Sequence, residues 1–176
     1  MRIIKVKLNR LVNFNRKRDI EKAKKVQKLI EVVINSNEFR ENVISADFKD
    51  RRFRKENGTI YEIVENGSIL NLIIGGNEQY DNDDTIDFEW DFQIVLYRSF
   101  TGEIGHRSKD TIFTKKKKFR KMPYKDLASH WIHEYMHVIG FTHDFKRTKR
   151  RAYSVPYLVG EIAGDIMKSN DYDFLN

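Results

Sequence analysis

Eleven residues, His133-Glu134-Tyr135-Met136-His137-Val138-Ile139-Gly140-Phe141-Thr142-His143, constrain the fold of this chain more than any other stretch. Two imidazoles four residues apart on a helix lie on one face, a turn apart, and can reach the same ion. His143 follows His133 by ten residues, which in a continued helix would carry it roughly 15 Å along the axis. The helix must therefore stop, and Gly140 is the residue able to take a positive φ and turn the chain back. Three neutral imidazoles with one position left open form the ligand set of a catalytic zinc ion, whereas a structural site is usually closed by a fourth protein ligand. Glu134, beside the first histidine, is placed to take a proton from water without ligating.

The sequence has no cysteine and five histidines, so a metal here must be held by imidazole or carboxylate. A chain of 176 residues, 40% of them hydrophobic and 12% aromatic, has material for one core and little for a second, so residues 1–176 are expected to form a single domain. The net charge of +7 is uneven, with an acidic stretch from Glu78 to Asp91 and basic runs at Lys115–Lys121 and Lys146–Arg151. The basic runs are expected to be solvated faces with no specific nucleic-acid site, because no aromatic-interleaved basic stretch accompanies them. The first residues, MRIIKVKLNRLVNF, interrupt their apolar positions with Lys5, Lys7, Asn9 and Arg10 and so give no signal-peptide core. No apolar window approaches the ~18 residues of a membrane span. The expectation is a protein of the cytoplasm with no membrane partner, whose release by lysis or association with a virion stays open.

Alternation of Ile4, Val6 and Leu8 with Lys5 and Lys7 predicts a strand over residues 2–8. Ile20, Ala23, Val26, Ile30, Val33 and Ile34 recur at helical steps and predict a helix from Arg16 to Ile34. A short helix over 37–45 would pack Phe39, Val43 and Ile44. Asn57–Gly58 between aromatic and β-branched stretches predicts a hairpin over Phe48–Val64. Ser68 would cap a helix from Ile69 to Ile74, stopped by Gly75–Gly76. Ile86–Tyr97 reads as a long strand, with shorter ones at Ile104–His106 and Thr111–Thr114, and the last helices as Tyr124–Ile139 and Ser154–Met167. Intermixed strands and helices predict a mixed α/β fold, a twisted mixed sheet with helices against it.

The eleven-residue stretch resembles the extended zinc motif of the metzincin clan of metallopeptidases, shared by its matrixin and astacin members. His133–Gly140, Arg147–Arg151 and Ser154–Gly160 also resemble small uncharacterised metzincin-like proteins of gut bacteria and their phages. The clan resemblance implies an upper part, here 1–143, with a twisted, largely parallel sheet ending in the active-site helix, and a short lower part, 144–176. It implies zinc held by His133, His137 and His143, Glu134 as general base, and a peptide or protein substrate paired along an edge strand that would include His106. It also implies a methionine turn under the metal. Met167 is the only methionine after His143, and the helical spacing of Leu158, Ile162 and Ile166 around it favours a packed helix residue. Tyr153–Tyr157 is the alternative turn, with Tyr157 in the place of the tyrosine by which astacin-like enzymes approach the metal, and Ser154–Pro156 reads equally as a helix start.

Two histidines and one acidic cluster remain. His130 reads as a hydrogen-bonded structural residue on the helix flank. Asp81, Asp83, Asp84 and Asp87 lack the glycine and terminal glutamate of a calcium loop and read as a solvated loop. The function expected is a zinc-dependent endopeptidase, with Glu134 moving the proton and Tyr157 assisting. Its rival is a zinc-stabilised structural or binding protein, such as a virion component, in which an intact Glu134 would have no task.

Overall fold

The computed structural model describes residues 2–55, 57–78, 86–100, 103–172 and 174. Its main sheet has four strands in the order β1 (Lys5–Val12), β4 (Glu89–Tyr97), β6 (Thr111–Lys115) and β5 (Gly105–Ser108). The first three run parallel and β5 returns antiparallel along β6 as an edge strand. β2 (Arg52–Arg54) and β3 (Ile60–Glu62) form a separate antiparallel pair.

β1 runs four residues further than alternation predicts because its register shifts between Leu8 and Arg10, absorbing the polar Asn9 while pairing with β4 resumes. β4 begins later than Ile86, since Phe88 takes a φ of +61° and the Asp87 carboxylate accepts from the Glu89 amide. Along β4 the side chains alternate as the sequence requires, with Trp90, Phe92, Ile94 and Leu96 buried.

Seven helices accompany the strands among the described residues. α1 (Lys17–Ile34) buries the predicted stripe from Ala23 to Ile34 and leaves Ile20 half-buried. α2 (Asn37–Ser45) is capped by Ser36 Oγ, which accepts from the Phe39 amide; it buries Phe39 and Val43 while Ile44 faces solvent, contrary to expectation. α3 (Asn66–Gly75) starts two residues before Ser68, so Ser68 is inside the helix rather than its cap, and Gly76 ends it at φ +69°. α4 (Lys116–Lys121) was hidden in a basic run: Phe119 is its buried anchor, and Arg120 pairs with the buried Asp19 of α1. A single turn, α6 (Lys149–Ala152), is capped by Thr148, whose hydroxyl accepts from the Arg151 amide.

α5 (Tyr124–Val138) and α7 (Val155–Ser169) position the site. One face of α5 lies on the sheet, where Tyr135 stacks on Trp90 and Phe92 at centroid distances of 4.4 and 4.9 Å. Its Oη donates to the buried Glu78 carboxylate. The other face takes α7 at close range. A Cβ on Gly160 would stand 3.1 Å from the Ser129 carbonyl oxygen and 3.2 Å from His133 Cβ, so glycine is what permits this approach. Ser129 Oγ fills the contact by donating to the Gly160 carbonyl at 2.7 Å. α7 therefore joins the same core, which extends from Ile4 to Met167. No described helix is long and apolar enough to cross a membrane.

Candidate metal centre

α5 ends where the sequence requires. Ile139 is its C-cap, and Gly140 takes a φ of +118°. The chain then doubles back, with the Phe141 amide donating to the Met136 carbonyl at 2.9 Å. The reversal brings His143 to the two helix-borne imidazoles: one ligand atom each from His133, His137 and His143 lies within 4.8 Å of the others. Ring centroids are 5.0 Å apart for His133 and His137, 5.5 Å for His133 and His143, and 4.6 Å for His137 and His143.

Hydrogen bonds decide which nitrogens are free. His137 Nδ1 donates to the Phe141 carbonyl at 2.8 Å and His143 Nδ1 to the Asp144 carbonyl at 2.9 Å. His133 also bonds the backbone of Pro156, and proline has no N–H, so the imidazole is the donor. A neutral imidazole that donates from Nδ1 has only a lone pair at Nε2. His137 Nε2 and His143 Nε2 face each other at 3.1 Å, so two acceptors meet with no proton between them unless one carbonyl bond is given up. A shared cation resolves the conflict: two nitrogens about 2.0–2.1 Å from a tetrahedral ion lie about 3.3–3.4 Å apart. The donor set thus fits zinc.

Protonation does not compete with a metal near neutral pH. Burial, followed by the neighbouring His143, pushes His137 down to about 3. His133 is held well below the usual imidazole value by burial and then by His137 and His143, and burial lowers His143 as well.

Glu134 is 7% exposed and belongs to the same helix turn. Burial raises its carboxyl to about 7, against a lowering influence of Arg107 on β5. His130 Nδ1 lies 3.7 Å from Glu134 Oε1, and burial pushes His130 down to about 4, so it is neutral beside the carboxyl. The 3.7 Å separation is too long for a hydrogen bond, and His130 Nε2 is buried with no hydrogen-bond partner among the described residues, so the hydrogen-bonded role expected of His130 does not appear; it adjoins Glu134 at the i, i+4 spacing visible in the sequence.

Ser154–Pro156 is the start of α7, with Pro156 in its first turn. Tyr157 nevertheless faces the centre, its ring 4.5 Å from that of His133 and 5.1 Å from that of His143. Met167 is fully buried inside α7. His106 on β5 stacks on Phe113 at 5.1 Å and approaches Tyr97 Oη at 3.5 Å. Asp81, Asp83 and Asp84 lie outside the described residues. No family model matches the sequence, and neither a curated protein nor a solved structure matches it.

The support under His143 has no local signature in the sequence. The β2–β3 hairpin lies against the reversal, where Phe53 forms an antiparallel bridge with Phe141 and their rings meet edge to face at 5.1 Å. The Arg54 amide donates to the Gly140 carbonyl at 2.9 Å, and the Thr142 amide to the Arg52 carbonyl at 3.0 Å. The Asn57–Gly58 turn predicts the hairpin, but no local pattern says what it packs against.

Proposed function

We propose that this chain is a zinc-dependent endopeptidase of the metzincin type, with His133, His137 and His143 as ligands and Glu134 as general base. The observation that carries the reading is the pair of lone-pair nitrogens, His137 Nε2 and His143 Nε2, turned on each other at 3.1 Å one helical turn from a buried carboxyl. Zinc held by these imidazoles would supply Lewis acidity toward a water and a peptide carbonyl.

Glu134 accepts the proton of the attacking water and returns it to the leaving amine. Its burial beside the three imidazoles places the carboxyl where both transfers can be made by one group. The carbonyls of Phe141, Asp144 and Pro156 fix the imidazole tautomers and orientations. Tyr157 stands over the His133 and His143 rings and is assigned a hydrogen bond to the oxyanion that develops on the scissile carbonyl. β5 is the edge of the main sheet, and an extended peptide substrate would add to it as a further strand.

Cleavage of a broad peptide library by the unmodified protein and by Glu134→Ala, with and without a zinc chelator, tests the proposal. The expected result is chelator-sensitive cleavage by the unmodified protein and loss of it in Glu134→Ala. No chelator-sensitive cleavage by the unmodified protein would favour a zinc-stabilised structural or binding protein.

A further inference from the structure

The third ligand depends on a segment that has left its helix, and the side chain that ties this segment down lies about ninety positions earlier in the chain. Arg52 Nε donates to Asp50 Oδ1 at 2.7 Å and Arg52 Nη2 to Asp50 Oδ2 at 2.5 Å, a two-pronged pair with a carboxylate that is fully buried. The same Nη2 donates to Asp144 Oδ1 at 2.7 Å. Asp144 follows His143, and its carbonyl accepts the imidazole N–H of that ligand. Asp50 reaches the opposite side of the centre: its amide donates to the Tyr153 carbonyl at 3.3 Å and its carbonyl accepts from the Val155 amide at 3.2 Å. Pro156, whose carbonyl holds His133, comes next in the chain.

One guanidinium between two carboxylates therefore joins the backbone that orients His143 to the backbone that orients His133. The pairing is well suited to this work, since the planar fork of arginine fixes direction as well as charge. Asp144 is held on both sides, as Thr148 Oγ1 donates to its Oδ2 at 3.3 Å. Gly140 fits the same design: a Cβ there would stand 2.8 Å from the Arg54 carbonyl oxygen and 2.8 Å from the Phe53 ring, so the hairpin grips a reversal that has no room for another side chain.

We propose that Arg52 is a positioning residue for His143, and that the Asp50–Arg52–Asp144 bridge sets how tightly the centre holds zinc. The inference rests on the reading of the three histidines as zinc ligands. It assigns the hairpin a task, to pre-orient the one ligand that the helix cannot place. Removing an outer partner of a metal ligand typically lowers affinity 10–100-fold, and that is the effect expected.

Zinc affinity measured by competition with a chromophoric chelator tests this on the full chain, for the unmodified protein, Asp144→Ala, Arg52→Met, Arg52→Lys and His143→Ala. Melting of the metal-free proteins and the visible spectrum of their cobalt-loaded forms are followed in parallel. Asp144→Ala removes the acceptor of Arg52 Nη2 and leaves the Arg52–Asp50 pair intact, so its metal-free form should melt close to the unmodified protein while zinc affinity falls 10–100-fold and the cobalt bands shift. Arg52→Met should lose as much, and Arg52→Lys should recover part, because lysine returns the charge without the fork. If Arg52→Met does not fold, with the buried Asp50 unpaired, Asp144→Ala decides alone. Unchanged zinc affinity and cobalt spectrum in Asp144→Ala, alongside clear loss in His143→Ala, would overturn the positioning role. Failure of the unmodified protein to bind zinc, or equal binding by His143→Ala, would overturn the zinc reading itself and this inference with it.

Discussion

His133 and His137 reach the centre by a different physical route from His143. The first two are fixed by one helix, whose pitch alone places them a turn apart and whose other face is pinned to the sheet by Tyr135 and Trp131. His143 lies beyond a glycine at φ +118° and is held by a hairpin from residues 52–62 and by an ion pair across the site. A local pattern places two of the three proposed ligands, and long-range tertiary contacts place the third. The helix-borne pair should therefore resist damage elsewhere in the fold, while the third ligand should not.

The largest effect expected is from His137→Ala, which removes one of the two proposed helix-borne ligands. Zinc should be lost beyond the 10–100-fold that an outer partner is worth, and cleavage should disappear with it, read by metal content after dialysis and by peptide assay. Glu134→Ala separates chemistry from ligation on the helix side. Zinc content and melting should stay close to those of the unmodified protein, while the cleavage rate falls by at least about 10²–10⁴-fold. A Glu134→Ala protein that loses zinc would show the carboxylate to be a ligand.

Gly140→Ala acts on the tertiary route alone. The added Cβ must displace the Arg54 carbonyl or the Phe53 ring, and the backbone must keep a conformation that costs about 1–3 kcal/mol for a side chain. Circular dichroism should show the helices intact, whereas the melting temperature should fall by ~2–4 °C per kcal/mol and zinc affinity should drop. Unchanged affinity would mean that the reversal at Gly140 does not place His143.

The smallest effect expected lies on the sheet side of α5, away from the ligands. Burial holds the Glu78 carboxyl at about 7 in the fold, above its ordinary 4.5, despite the Tyr135 hydroxyl and the Asp91 amide bonded to it. A raised carboxyl binds more protons folded than unfolded, so its stabilisation is complete below about 4.5 and is lost as pH rises through about 7. Glu78→Gln keeps the acceptor oxygen and cannot ionise. It should match the unmodified protein near pH 4 and be more stable above pH 8 by an amount on the order of 1–3 kcal/mol, with zinc affinity untouched. Thermal melts of both proteins across that range read the difference.

The division between local and tertiary routes also marks what the sequence makes legible. The spacing of His133 and His137, the break at Gly140, the stripe of α1 from Ala23 to Ile34 and the alternation of β4 from Trp90 to Leu96 are local patterns that appear where they are expected. The cap of α3 and the solvent-facing Ile44 depart from expectation because several neighbouring residues could serve locally and packing chooses among them. α4 escaped because lysine-rich composition hides one buried phenylalanine, Phe119. Arg52 lies in a run of basic residues with nothing to mark it among Arg51, Arg54 and Lys55. Its importance comes from Asp144, 92 positions away, and separation of that kind leaves no periodic trace. His130 is the intermediate case, since its i, i+4 relation to Glu134 is visible in the sequence while its burial is not.

X-ray absorption at the zinc edge of the loaded protein bears most directly on the central claim, because it counts and identifies the atoms around the ion. Three imidazole nitrogens at about 2.0–2.1 Å and one further light atom that exchanges with solvent are expected, with the spectrum unchanged in Glu134→Gln. A coordination shell with only two imidazoles, or one that alters when Glu134 is replaced, would contradict that claim.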